Sequence, residues 1–236
     1  MCVYRRLTLE MTESRYMLVD AGKNADAFLA GRGSAKDRYS SWDHCFNYFS
    51  NRHIQGRVSE MASGENLQLA CLHLGFYLAS WGMYRGSAAL LQRSSMALEP
   101  VVQEVVSAPE TLWSLDVDSY HPESIAELLE FSKKIRGALP RSKSERVPTD
   151  TLVTKTLLGV FGNVPAFDRY FRKGFGSHSY GAKSLMKIRS YFDQHRDQIR
   201  LRQVPTVDFA GQETSNRYTA AKVIDMIFFV EGGGRG

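Results

Sequence analysis

Apolar residues crowd one stretch of the chain, from Leu67 to Leu91: LQLACLHLGFYLASWGMYRGSAALL. Small residues and aromatics interrupt this run, and charges scarcely do. The pattern predicts a helix buried in the core. It is expected to run from Glu65 to about Trp81, to bend or admit a close neighbour at Gly82 and Gly86, and to resume over Ala88–Arg93. A membrane span has this length, but His73, Arg85 and Gln92 lie in or beside the run and no second span accompanies it. No membrane partner is expected.

Elsewhere the period is helical. Trp42, Cys45, Phe46 and Phe49 follow a Ser41 cap. Ala97–Val106 carries Pro100 in its first turn. Pro122 opens a helix with Ile125, Leu128, Leu129 and Ile135 inward, ended by Gly137 and Pro140. Thr149 or Asp150 caps DTLVTKTLLGVF, the turn GNVP follows, and Phe167–Lys173 reads as a short helix. Ala182–Arg200 is long and basic. VPTVDFAG reads as an extended linker or short edge segment, and Thr214 or Ser215 as the cap of a last helix ending near Val230. No alternating run is longer than a few residues. The expectation is an all-α fold, an irregular helical bundle around a central buried helix.

Residues 1–22 are expected to be a poorly ordered extension. Residues 23–236 form either one helical domain or two packed halves, 23–140 and 147–231, joined by the basic RSKSERVPT and followed by a flexible glycine tail over 232–236. The 236 residues are 43% hydrophobic and 23% charged, which excludes a disordered chain. Three cysteines without framework spacing exclude a disulfide scaffold. No apolar segment follows Arg5 and Arg6 to make a signal peptide. A cytoplasmic protein with reduced thiols is expected, with no cofactor.

Charge brings in candidate chemistry. The net charge is +5, and the dense basic stretches lie in the second half. Arg169, Arg172, Lys173, Lys183 and Lys187 are interleaved with Tyr170, Tyr180 and Tyr191, a composition suited to phosphates and stacked bases. The alternative is an ordinary solvated face balanced by Asp193, Asp197 and other acids.

In the apolar run, Tyr77–Ser87 (YLASWGMYRGS) resembles a segment of a bacterial protein family whose function is not known. That resemblance implies a bacterial-type protein and supplies no catalytic residues. On its own chemistry the segment offers Trp81, Tyr84 and Arg85 as the lining of a pocket for an anion. Otherwise it is a tightly packed helix with Arg85 paired to a carboxylate. The segment TKTLLGVFGNVPAFDRYFRKGF resembles the closing part of helix-hairpin-helix DNA glycosylases, which implies Lys155 and Asp168 as a reactive pair with Arg169 and Arg172 on the phosphate side. It lacks that family's Leu-Pro-Gly-Val-Gly hairpin, and its Lys-to-Asp gap is shorter. The plainer reading makes Asp168 the cap of the next helix.

His44, Cys45, His53, Cys71 and His73 do not share helix faces, so no metal site is expected. The leading functional expectation is binding of nucleic acid or another polyanion through Arg85 and the basic second half. The alternatives are a base-directed DNA enzyme using Lys155 and Asp168, and a protein-interaction subunit without catalysis.

Overall fold

The structure is a computed structural model, and it describes residues 15–32, 36–86, 88–141 and 146–234. The chain forms an all-α bundle: α1 (Ala21–Ala30), α2 (Ser40–Ile54), α3 (Gly64–Ser80), α4 (Glu99–Val106), α5 (Glu110–Ser114), α6 (Pro122–Ala138), α7 (Asp150–Val160), α8 (Arg169–Phe175) and α9 (Ala182–Leu201). A small antiparallel hairpin of β1 (Pro205–Val207) and β2 (Glu213–Arg217) precedes the last helix, α10 (Ala220–Glu231). One hydrophobic core runs from Tyr16 to Phe229 and draws on both expected halves. No helix among the described residues is long and apolar enough to cross a membrane.

Local signals set several helices as expected. Pro122 begins α6, where the His121 side chain accepts from the Ser124 N–H and Ser124 accepts from the His121 N–H. Thr149 caps α7 through the Leu152 N–H. Asp168 caps α8 by accepting from the Tyr170 and Phe171 N–H groups.

The central rod is not where the apolar run placed it. α3 stops at Ser80, and its Leu69, Leu72 and Phe76 are exposed. Its apolar residues outnumber the places on its buried stripe of Ala70, Cys71, Leu74, Tyr77 and Leu78. The enclosed helices are α7, buried from Leu152 through Val160, and α10, buried from Ala220 through Phe229 except at Asp225. Residues 88–93 form turns instead of a resumed helix.

Other boundaries also differ. α2 begins at Ser40 without a side-chain cap, and the Ser41 hydroxyl instead donates to the Arg38 carbonyl. Residues 213–217 are a strand, so α10 starts later, with Thr219 as its cap. Arg15–Leu18 is a 3₁₀ turn with Tyr16 buried, so the chain is packed well before residue 23. Residues 1–14 of the expected extension lie outside the described residues, as do residues 142–145 of the expected boundary. At the far end, Gly232 and Gly234 of the expected tail are buried, and residues 235–236 lie outside the described residues. A Cβ on Gly232 would sit 2.0 Å from the Tyr170 carbonyl oxygen, so glycine there lets α10 end directly against α8.

Candidate functional site

The end of α3 builds one wall of a cleft. Gly82 adopts a left-handed φ of 82°, the Gly82 N–H donates to the Ala79 carbonyl, and the Met83 N–H donates to the Leu78 carbonyl at 2.8 Å. This is a Schellman closure, and it turns Trp81–Arg85 away from the helix axis. The Arg85 guanidinium folds back over Gly82, within 2.6 Å of where a Cβ would stand. Arg85 is exposed, and among the described residues its side chain has no ion pair or hydrogen bond.

The opposite wall comes from the start of α8. Asp168 and Tyr170, together with Phe229 of α10, complete a cleft of about 300 Å³ with Arg38, Trp81, Tyr84 and Arg85. Asp168 lies in this wall with both oxygens engaged. Oδ1 takes the two capping N–H groups, and Oδ2 accepts from Lys155 Nζ at 3.1 Å. Lys155 is 4% exposed and lies behind the wall, with Nζ 5.3 Å from the Trp81 ring centroid.

A second buried pair supports the first. Lys222 Nζ and Asp225 Oδ2 are 3.5 Å apart on α10, and the other Asp225 oxygen accepts from the Ala166 N–H at 3.0 Å. Asp225 thus anchors the loop that carries Asp168. Burial pushes the Lys222 ammonium down and the Asp225 carboxyl up, and each charge opposes the shift of the other. The Lys222 ammonium also faces the rings of Phe28, Trp42 and Trp81 at 4.9, 5.2 and 5.5 Å. These two ion pairs gather four charged groups beside the cleft, where pairing offsets the cost of burying each charge.

Trp81 joins these parts. Its ring stacks on Phe28 and meets Tyr39 and Phe229 edge-on, while the Arg38 guanidinium lies 5.0 Å from its centroid. Its Nε1 N–H is buried and finds no acceptor among the described residues. The arrangement offers a ligand the Arg85 guanidinium, a fixed carboxylate acceptor and aromatic walls.

The structure therefore brings together Lys155, Asp168, Arg85, Trp81 and Tyr84, which the sequence offered as two separate candidates. It keeps others apart from the cleft or engages them elsewhere. The Arg169 guanidinium lies over the Tyr170 ring at 4.7 Å, beside the cleft. Arg172 lies 3.6 Å from Asp150, which Arg136 also holds at 2.6 Å. Lys173 and Lys183 are exposed, and Lys187 Nζ stands 5.9 Å from the Tyr16 ring centroid. None of these five lines the cleft. Arg38, Lys222 and Asp225 were missed. A Lys and an Asp three apart within AAKVIDMIFFV were a readable signal, since such charges rarely enter so apolar a helix unpaired.

The histidines and cysteines go to separate tasks. His53 stacks on Trp113 and bonds Glu110, while His73 stacks on Tyr48. Cys45 and Cys71 are buried free thiols, and burial pushes the Cys71 thiol up to about 11. Among the described residues no three His, Cys, Asp or Glu side chains gather as metal ligands.

No family model, curated protein or solved structure matches this chain.

Proposed function

We propose that the protein binds nucleic acid, and that the cleft between Trp81–Arg85 and Asp168–Tyr170 holds one nucleotide of it. One observation carries this reading: an Arg85 guanidinium without an acid partner among the described residues faces the same cleft as the doubly anchored Asp168 carboxylate. A nucleotide supplies both complements. Its phosphate suits the Arg85 fork, and an amino or hydroxyl group donates to Asp168. The ring would lie against Trp81, Tyr84, Tyr170 or Phe229. About 300 Å³ is at the small end for ligand sites and fits a single unit. Arg169, beside the cleft on α8, would take a flanking phosphate.

Fluorescence anisotropy of a dye-labelled single-stranded oligonucleotide tests this. Binding should be clear at low salt and fall steeply as salt is added. Arg85→Ala should weaken it about tenfold or more, the range for a lost charge-assisted bond. No binding to any DNA or RNA at low salt overturns the proposal.

The meeting of Lys155 and Asp168 favours a second reading, a base-directed enzyme in which the Lys155 amine attacks. Its demand is steric, because the amine must come out from behind the wall of the cleft. Borohydride treatment with an oligonucleotide carrying an abasic aldehyde decides the matter. Nucleotide binding alone gives no adduct; a covalent adduct lost in Lys155→Met establishes the enzyme.

A further inference from the structure

A second, larger cleft adjoins the first and shares Arg38 with it. It encloses about 720 Å³, and Lys36, Asp37, His44, Phe76 and Phe209 line it with Arg38. Phe209 is 91% exposed and Phe76 is 67% exposed. Single exposed apolar residues need no explanation. Two aromatic rings facing one concavity that also holds two cationic side chains do.

The exposure of Phe209 is built into the hairpin. Asp208 Oδ1 accepts from the Ala210 and Gln212 N–H groups at 2.9 and 2.8 Å, and the Asp208 N–H and carbonyl pair with Gln212 and Gly211. His44 Nε2 lies 3.2 Å from the Asp208 carbonyl, and its ring is 5.4 Å from that of Phe209. A loop tied down at each of these points presents its phenyl group to solvent in a fixed place. Phe76 stands on the exposed side of α3, one turn before Ser80, whose hydroxyl donates to the Phe76 carbonyl.

We propose that Phe209 and Phe76 form a stacking shelf for unpaired bases, which continues a single strand from the Arg85–Asp168 cleft past Arg38. This deepens the nucleotide-binding reading and rests on it for the polarity of the strand's path. The occupant is single-stranded because a duplex keeps its base faces covered, whereas unpaired bases stack freely on protein rings. A cleft lined by Lys36, Arg38 and His44 with Asp37 among its described residues suits a phosphate backbone better than an apolar peptide.

Thymidine monophosphate and thymidine oligonucleotides of increasing length up to eight, titrated by calorimetry, test the shelf. Affinity should rise with length over the first few nucleotides. Phe209→Ala should remove most of that gain, roughly fivefold or more, and leave monophosphate binding unchanged. A duplex of equal length should bind more weakly. Since Phe209 is outside the core, the variant should keep the wild-type circular dichroism and melting temperature. The shelf is overturned if Phe209→Ala and Phe76→Ala both keep the full gain, if duplex binds as well as single strand, or if no oligonucleotide binds at all. The two readings part at Arg85→Ala. If monophosphate binding is absent or untouched by that change while a Phe209-dependent gain persists, the cleft reading fails and the shelf stands.

Discussion

On α9, Arg189 and Arg196 both close on Asp193, at 2.7 and 2.6 Å. Arg200 stands 3.9 Å from Asp118, and Arg202, just past the helix, grips Asp26 through bonds of 2.6 and 2.8 Å. In the turn after α3, Arg85 has no ion-pair partner among the described residues, although the partly buried Asp168 carboxylate shares its cleft. By sequence α9 is the basic element and the turn is part of an apolar run. In the structure Arg189, Arg196 and Arg200 of α9 have acid partners and Arg85 has none among the described residues, while Lys183 of α9 is exposed. Exposed pairs such as those on α9 are worth little individually. An uncompensated guanidinium on an aromatic-walled cleft still has its bonds to make. Where a cation's partner sits matters more than how many cations a segment holds.

The largest effect should come from breaking the buried charges beside the cleft. Lys222→Met leaves Asp225 enclosed without its nearest counter-charge, which costs about 3–5 kcal/mol. A urea midpoint that falls at unchanged slope measures it. The double variant Lys222→Met with Asp225→Asn removes both charges and keeps an acceptor for the Ala166 N–H, so it should recover most of the loss. Equal instability in the double variant would mean that the packing of Lys222 among Phe28, Trp42 and Trp81, and not its charge, holds α10 in place.

The contrast between these regions was only partly legible in the sequence. Signals that act within a few residues came through. Pro122 starts α6, Thr149 caps α7 and Asp168 caps α8 because each cap depends on its own neighbouring N–H groups. The two glycines at 82 and 86 were visible but read as a bend. Both take left-handed φ, and at Gly82 this ends the helix outright. Half of the hairpin was visible, since β1 lies in the VPTVDFAG segment read as a linker or short edge, but β2 was hidden because ETSNR is short and polar. Its position is set by distant partners: Thr206 and Asn216 bond Asn47, and the Val207 N–H bonds Asp43. The site was legible in pieces. Trp81, Tyr84 and Arg85 read as pocket-lining, and Lys155 and Asp168 as a pair. That these belong to one cleft depends on the Asp225 bond to Ala166 and on the close approach of α8 to α10, which no local pattern encodes.

The smallest effect should come from α9, and it sharpens the comparison most. Asp193→Asn removes the acid shared by Arg189 and Arg196. All three side chains are partly or largely exposed, so thermal unfolding should register less than about 1 kcal/mol. The change also releases positive charge on α9. If nucleic acid is held at the Arg85 cleft, with flanking contacts from α8, the slope of log affinity against log salt should stay within about one unit of wild type, because no added phosphate is neutralised. A slope steeper by two would mean that the strand already runs along α9 and that Asp193 had been masking the contact. In that case the basic helix, and not the turn after α3, would be the principal phosphate-binding element.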